Sequence, residues 1–95
     1  MFQTIPSTLN PLIQSLTLNR NNFKEVGSAS FQFHPELINV DLANNQLEGI
    51  QEKTFEAQKV LLILNLSNNR FSHVNNMTFY GLENLEVLDF NIFQT

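Results

Sequence analysis

Cysteine is absent from the 95 residues. That excludes disulfides, thiolate metal sites and cysteine nucleophiles together. Basic side chains are scarce: Arg20, Lys24, Lys53, Lys59 and Arg70 stand against nine acidic residues, for a net charge of −4. These five are spread along the chain with no basic stripe and no interleaved aromatics, so no nucleic-acid partner is expected. The mild acidity reads as a solvated surface. Long apolar runs are missing too, and the longest, over 60–64, is far too short to span a bilayer. Met1 is followed directly by Phe2-Gln-Thr-Ile-Pro6, with no basic n-region and no apolar h-region. The sequence as written is therefore expected to carry no signal peptide. Phosphate loops, EF-hand loops and zinc-ligand spacings are absent as well, so no cofactor and no metal are expected.

What is present is a repeat. The apolar content of 42% is enough for the core of one small domain. Asn21, Asn45 and Asn69 lie 24 residues apart, each inside the same apolar frame. The first unit carries Ile13, Leu16, Leu18, Asn21 and Phe23; the second Leu37, Val40, Leu42, Asn45 and Leu47; the third Leu61, Leu64, Leu66, Asn69 and Phe71. Val26, Ile50 and Val74 continue the frame on a return limb, followed by Phe31, Phe55 and Phe79. Seven positions thus match in all three units, where a single L-x-x-L-x-L would carry no weight.

Two apolar residues separated by one polar residue point to the same side of a short strand. Identical strands stacked in parallel bury that side continuously, and a unit this short needs its neighbours to do so. The asparagine stands where the chain turns out of the strand, and its amide can satisfy backbone groups the turn leaves unpaired. The matched phenylalanines are expected to stack into a spine on the return side. The expected architecture is an α/β-type, right-handed solenoid with parallel strands on the concave face and loops or short helical turns on the convex side. It divides into full units at 13–36, 37–60 and 61–84, with partial units at 1–12 and 85–95. Phe2, Ile5, Pro6 and Leu9 look like the tail of a shortened unit; Leu82, Leu85, Leu88 and Phe90 restart the frame before Phe93 and Thr95 break it. Neither end offers the polar cap a terminal repeat needs. The expected partners therefore include flanking repeats of a longer solenoid, or a second copy through the uncapped ends, and the Asn91-Ile-Phe-Gln-Thr95 segment is read as a boundary.

The pattern resembles the typical-type leucine-rich repeats of animal extracellular receptors, such as Toll-like receptors and Slit-like or chaoptin-like proteins. The resemblance runs over about residues 2–90. It is carried by Leu37-Ile-Asn-Val-Asp-Leu-Ala-Asn-Asn-Gln-Leu47, by Leu61-Leu-Ile-Leu-Asn-Leu-Ser-Asn-Asn-Arg-Phe71 and by the link Ser30-Phe-Gln-Phe-His-Pro-Glu-Leu37. The opening Phe2-Gln-Thr-Ile-Pro-Ser-Thr-Leu9 is similar to the first unit after an N-terminal cap in such ectodomains. The plant-type repeat, with a Gly-x-Ile-Pro step in each unit, fits poorly. The resemblance implies a leucine-rich repeat segment of an extracellular or cell-surface receptor or adhesion protein, a glycoprotein of innate-immune type, binding a protein or other macromolecule. The chain has no cysteine for the cysteine-rich caps usual in that family, and the sequence as written is not expected to carry the usual signal peptide.

Residues facing away from the core define the candidate binding face: Thr17, Asn19, Arg20, Asn39, Asp41, Asn44, Ile63, Asn65, Ser67, Val87 and Asp89. The same count places Ser15, Asn22, Ala43, Gln46, Asn68, Arg70 and Asn91 outward. With strands about 4.8 Å apart, Thr17, Asp41, Asn65 and Asp89 form one column. Ser15, Asn39, Ile63 and Val87 form another that turns apolar. Two glycosylation sequons occur, Asn65-Leu-Ser67 and Asn76-Met-Thr78; Asn76, on the return limb, is the better acceptor, whereas a glycan on Asn65 would crowd the concave face. Catalysis is not expected. His34 and His73 occupy different frame positions without acid, serine or cysteine partners, and read as surface or inter-repeat residues. Asp41 and Asp89 stand about 9.6 Å apart by strand spacing, at the edge of the range for an inverting glycosidase pair, on an open sheet that excludes no water. Two other readings stand beside recognition: a structural spacer in a larger ectodomain, and an intracellular protein-interaction module. If the frame is the core, Leu42→Ala or Leu66→Ala lowers stability by roughly 2–5 kcal/mol; a urea melt giving a loss below about 1 kcal/mol contradicts it.

Overall fold

The computed structural model describes residues 9–72 and 74–90. Four short strands, β1 (Ser15–Thr17), β3 (Asn39–Asp41), β5 (Ile63–Asn65) and β6 (Val87–Asp89), form one parallel sheet in the order β1-β3-β5-β6. The register advances by one repeat at each step: Leu16 faces Val40, Val40 faces Leu64 and Leu64 faces Leu88. On the return limb β2 (Glu25–Val26) and β4 (Gly49–Ile50) pair in parallel as a second sheet. One helical turn, α1 (Ser28–Phe31), follows β2. The chain is a leucine-rich repeat solenoid, with the concave sheet on one side and short turns on the other.

The core lies between the two limbs, where the apolar frame places it. Leu16, Val40 and Leu64 at the strand centres are buried, as are Leu18, Leu42 and Leu66 two residues on. Phe23, Leu47 and Phe71 close the far side. Phe31 stacks on Phe55 with ring centroids 5.4 Å apart, and Phe55 stacks on Phe79 at 6.3 Å. The aromatic spine is therefore real. It continues through an edge contact of Phe79 with Phe90 at 5.8 Å, and Phe90 also tilts against Phe71 at 5.6 Å.

The frame fails at two of its positions. Val74 is 38% exposed although Val26 is buried and Ile50 is partly so; the β2–β4 pairing does not extend to it. Leu88, on β6 at the edge of the sheet among the described residues, is 40% exposed, whereas Leu16 on the opposite edge strand is buried. The expectations placed on Phe2, Ile5, Pro6, His73, Asn91, Phe93 and Thr95 lie outside the described residues.

The asparagine positions work as a ladder between repeats. Asn45 donates from Nδ2 to the carbonyls of Leu42 and Ala43 in its own turn and of Leu18 one repeat back. Its Oδ1 accepts the backbone N–H of Phe23. Asn69 repeats the pattern with Leu66, Ser67, Leu42 and the N–H of Leu47. Asn21, half-buried, donates to the carbonyls of Leu18 and Asn19.

Two further polar columns are invisible to the apolar frame. Ser30, Thr54 and Thr78 share one position of the repeat. Ser30 Oγ accepts from Gly27 N–H and Thr78 Oγ1 accepts from Asn75 N–H, whereas Thr54 Oγ1 donates to the carbonyls of Gln51 and Val26. His34 and Gln58 share another, 24 residues apart. Gln58 is fully buried and ties its repeat to the previous one by donating from Nε2 to the carbonyls of Phe31 and His34. His34 is itself buried, at 3% exposure. That corrects the surface half of its sequence reading and leaves the inter-repeat half.

Gly81 marks a close approach between turns. Its φ is +101°, and a Cβ there would lie 2.5 Å from Glu56 Cα in the preceding repeat. Both the backbone angle and the neighbouring main chain require glycine. Gly81→Ala is expected to lower stability by roughly 2 kcal/mol. Gly49→Ala, whose Cβ would meet nothing within 4 Å, is expected to shift it by less than about 0.5 kcal/mol. Urea melts of the two variants check this, and equal effects contradict it.

Candidate ligand-binding face

Strand alternation carries every second side chain of the sheet away from the core. The register brings Thr17, Asp41, Asn65 and Asp89 into one row across the four strands, and Ser15, Asn39, Ile63 and Val87 into a second. In the first row Thr17 and Asp89 are exposed, while Asp41 and Asn65 are half-buried. In the second, Asn39 is half-buried and Ser15 is exposed. Ile63 and Val87 are 38% and 44% exposed, so the row does turn apolar along the stack.

Beyond the strands the chain bends, and alternation stops. Asp41 Oδ1 accepts the N–H of Ala43 at 3.0 Å, and Asn65 Oδ1 accepts both the N–H and the hydroxyl of Ser67 at 3.0 and 2.8 Å. Each is a side-chain-closed turn of the kind Asp and Asn favour. The turn draws its central position inward. Ala43 is buried at 2% exposure, and its counterparts Asn19 and Ser67 are half-buried. The outward placement of Ala43 is thereby overturned, and Asn22 and Gln46 are also only half-exposed.

The next residue of each turn is left-handed: Arg20, Asn44 and Asn68 have φ of 62°, 58° and 57°. All three are exposed. Asparagine tolerates this conformation better than arginine does, and the recurrence of Asn44 and Asn68 at repeat spacing was the available sequence signal for it. Asn44 Nδ2 also donates to Asn19 Oδ1 at 3.1 Å, joining adjacent turns. Arg70 is exposed just beyond.

The face is thus a rigid sheet with two carboxylates, Asp41 and Asp89, in its central row of Thr17, Asp41, Asn65 and Asp89, and two guanidinium groups, Arg20 and Arg70, at its loop rim. It offers hydrogen-bonding groups in register and an apolar strip at Ile63 and Val87. Among the described residues, no three His, Asp or Glu side chains come together as a metal site, and no helix is long and apolar enough to cross a membrane. The sequons separate clearly. Asn65 lies in the sheet, half-buried, and Asn76 is exposed in the turn between β5 and β6.

The profile of the family described as Leucine rich repeat matches residues 35–91, more than half of the chain. A search of curated proteins returns no match. Among solved structures the chain is similar to the protein in "Crystal structure of TLR13-ssRNA13 complex", with 27% identity and a TM-score of 0.75 over 83% of this chain. The chain spans 11% of the length of that neighbour. The 24-residue register, the asparagine ladder and the profile match lead to one statement: the chain belongs to the leucine-rich repeat family.

Proposed function

We propose that this chain is a binding segment of an extracellular receptor or adhesion protein, recognising a protein or other macromolecule on its concave sheet. The observation that carries the reading is the pair of in-register rows across β1, β3, β5 and β6. A partner laid along them meets groups fixed by backbone pairing, so little conformational entropy is lost on binding. Leucine-rich repeats are generally protein-binding modules, which supports recognition over catalysis. The Toll-like neighbour supports the receptor setting. A spacer role and an intracellular interaction role are the competing readings.

That neighbour is a complex with single-stranded RNA, which bears against the expectation from the sequence of no nucleic-acid partner. RNA is the second reading for this reason. Asp41 and Asp89 in the central row oppose it, because phosphate binding draws on positive charge, and the net charge is −4.

The test is a screen of the full chain against an array of extracellular protein domains and against a single-stranded RNA oligonucleotide. Binders are then measured with Asp41→Lys/Asp89→Lys and with Glu36→Lys, at an exposed residue outside the face. The proposal expects a protein binder whose affinity falls at least tenfold, about 1.4 kcal/mol, in the double variant and holds in Glu36→Lys. Equal affinity in all three contradicts the concave face. RNA binding that strengthens on charge reversal favours the second reading.

A further inference from the structure

We infer that Asn76 is an acceptor for an N-linked glycan, and that this glycan leaves the concave sheet open. The inference rests on the extracellular part of the proposed function. Asn76-Met77-Thr78 has the sequence an oligosaccharide-transferring enzyme requires, and its folded setting accommodates a large substituent. Asn76 is the middle residue of a side-chain-closed turn. Met77 N–H donates to Asn75 Oδ1 at 2.8 Å, Asn75 N–H donates to Thr78 Oγ1 at 3.1 Å and Thr78 N–H donates to the carbonyl of Asn75 at 3.2 Å. All three bonds are made by the flanking residues. The Asn76 amide takes part in none of them, and the residue is exposed. Extending it with a sugar disturbs no contact that holds the turn.

The second sequon differs in each respect. Asn65 is half-buried, its Oδ1 holds the Ser67 N–H and hydroxyl, and Asp41 and Asp89 flank it on adjacent strands. A sugar there would cover both carboxylates of the central row. The residues one and two repeats before Asn76 are Glu52 and Ser28, so the Asn76 column holds one acceptor and not a row of them.

The step is a glycosyl transfer. Asn76 Nδ2 forms an N-glycosidic bond to the anomeric carbon of a polyprenyl-diphosphate-linked oligosaccharide. The bond from that carbon to the diphosphate oxygen breaks, its electron pair leaves on polyprenyl diphosphate, and one amide proton is lost. No redox change occurs. In the folded chain Thr78 is buried, at 3% exposure, with its hydroxyl held by Asn75. Transfer therefore precedes closure of this turn, and the exposed Asn76 then carries the sugar outward as the repeat folds.

The experiment expresses the full chain behind a heterologous secretion leader in mammalian cells, so that the result reports the site and not the natural address. Mobility of the translocated chain is read before and after peptide-N-glycosidase. The expected result is a glycosidase-sensitive wild type, with Asn76→Gln and Thr78→Ala each lighter by one glycan and Asn65→Gln keeping that glycan. Because Asn76 is exposed, its replacement by glutamine does not threaten the fold, and the readout needs no folded chain. An Asn76→Gln chain that runs with untreated wild type, or a wild type without any glycosidase-sensitive glycan, overturns the inference. Binding of a concave-face partner by Asn76→Gln is expected to match wild type. A failed glycan assay with intact, Asp41-dependent binding would sink this inference and leave recognition standing.

Discussion

The second and third repeats of this chain turn sharply out of a strand while the backbone is still inside the core, and a buried amide, Asn45 or Asn69, makes that possible. The carbonyls of Leu18, Leu42 and Leu66 and the N–H groups of Phe23 and Leu47 lie buried where the turn offers them no backbone partner. Asn45 and Asn69 satisfy them in pairs, with the amide nitrogen on carbonyls of two successive repeats and the amide oxygen on an N–H of the earlier one. An unsatisfied buried backbone group costs about 1–3 kcal/mol, so one side chain spans several such costs at once. It also couples neighbouring repeats, which the leucines alone do only through non-directional contact. The concave face inherits its rigidity from this coupling, because the strands bearing Asp41 and Asn65 end at those turns.

The convex side is held by a different chemistry for the same reason. Its turns are short, its helical content among the described residues is one turn, its inward carbonyls at Val26, Gln51, Phe31 and His34 are met by Thr54 and Gln58, and stacked rings fill the space between repeats. Gln58 carries out on the return limb the bridging that Asn45 performs at the strand end, reaching the carbonyls of Phe31 and His34 in the repeat before it. Lys59 pairs with Glu83 one repeat on at 3.3 Å, but both side chains are largely exposed, and such a pair adds little. The solenoid is thus held by strand pairing, apolar stacking and buried amides, and surface charge adds little to it.

The fold was legible because its main constraint recurs as residue type. Leucine and asparagine return at fixed spacing, so Leu16, Val40, Leu64 and the ladder at Asn45 and Asn69 could be placed before any coordinates. The columns Ser30–Thr54–Thr78 and His34–Gln58 recur at the same spacing but change residue type, since several polar groups can meet the same carbonyl. A frame defined by leucine passes over them. Ala43 was misplaced for another reason. Period-two counting holds only while the chain is extended, and the turn closed by Asp41 begins at that residue. The candidate face was legible as geometry, in its rows and their apolar drift, and not as chemistry, because the partner leaves no mark in the spacing. Val74 and Leu88 show the limit of a repeat argument: a frame assigns burial by position, and these two positions stay 38% and 40% exposed.

The central claim is that the amide, and not merely a polar group of the right size, holds the repeats together. Asn45→Asp tests it most directly, because the substitution keeps the shape of the side chain and removes its donor. A carboxylate at that position would face the carbonyls of Leu18, Leu42 and Ala43. Asn44→Asp, at the exposed neighbour, is the control. In urea melts at neutral pH the ladder account predicts a loss of about 3 kcal/mol or more for Asn45→Asp and a change within about 0.5 kcal/mol for Asn44→Asp. Indistinguishable melts for the two variants would contradict it.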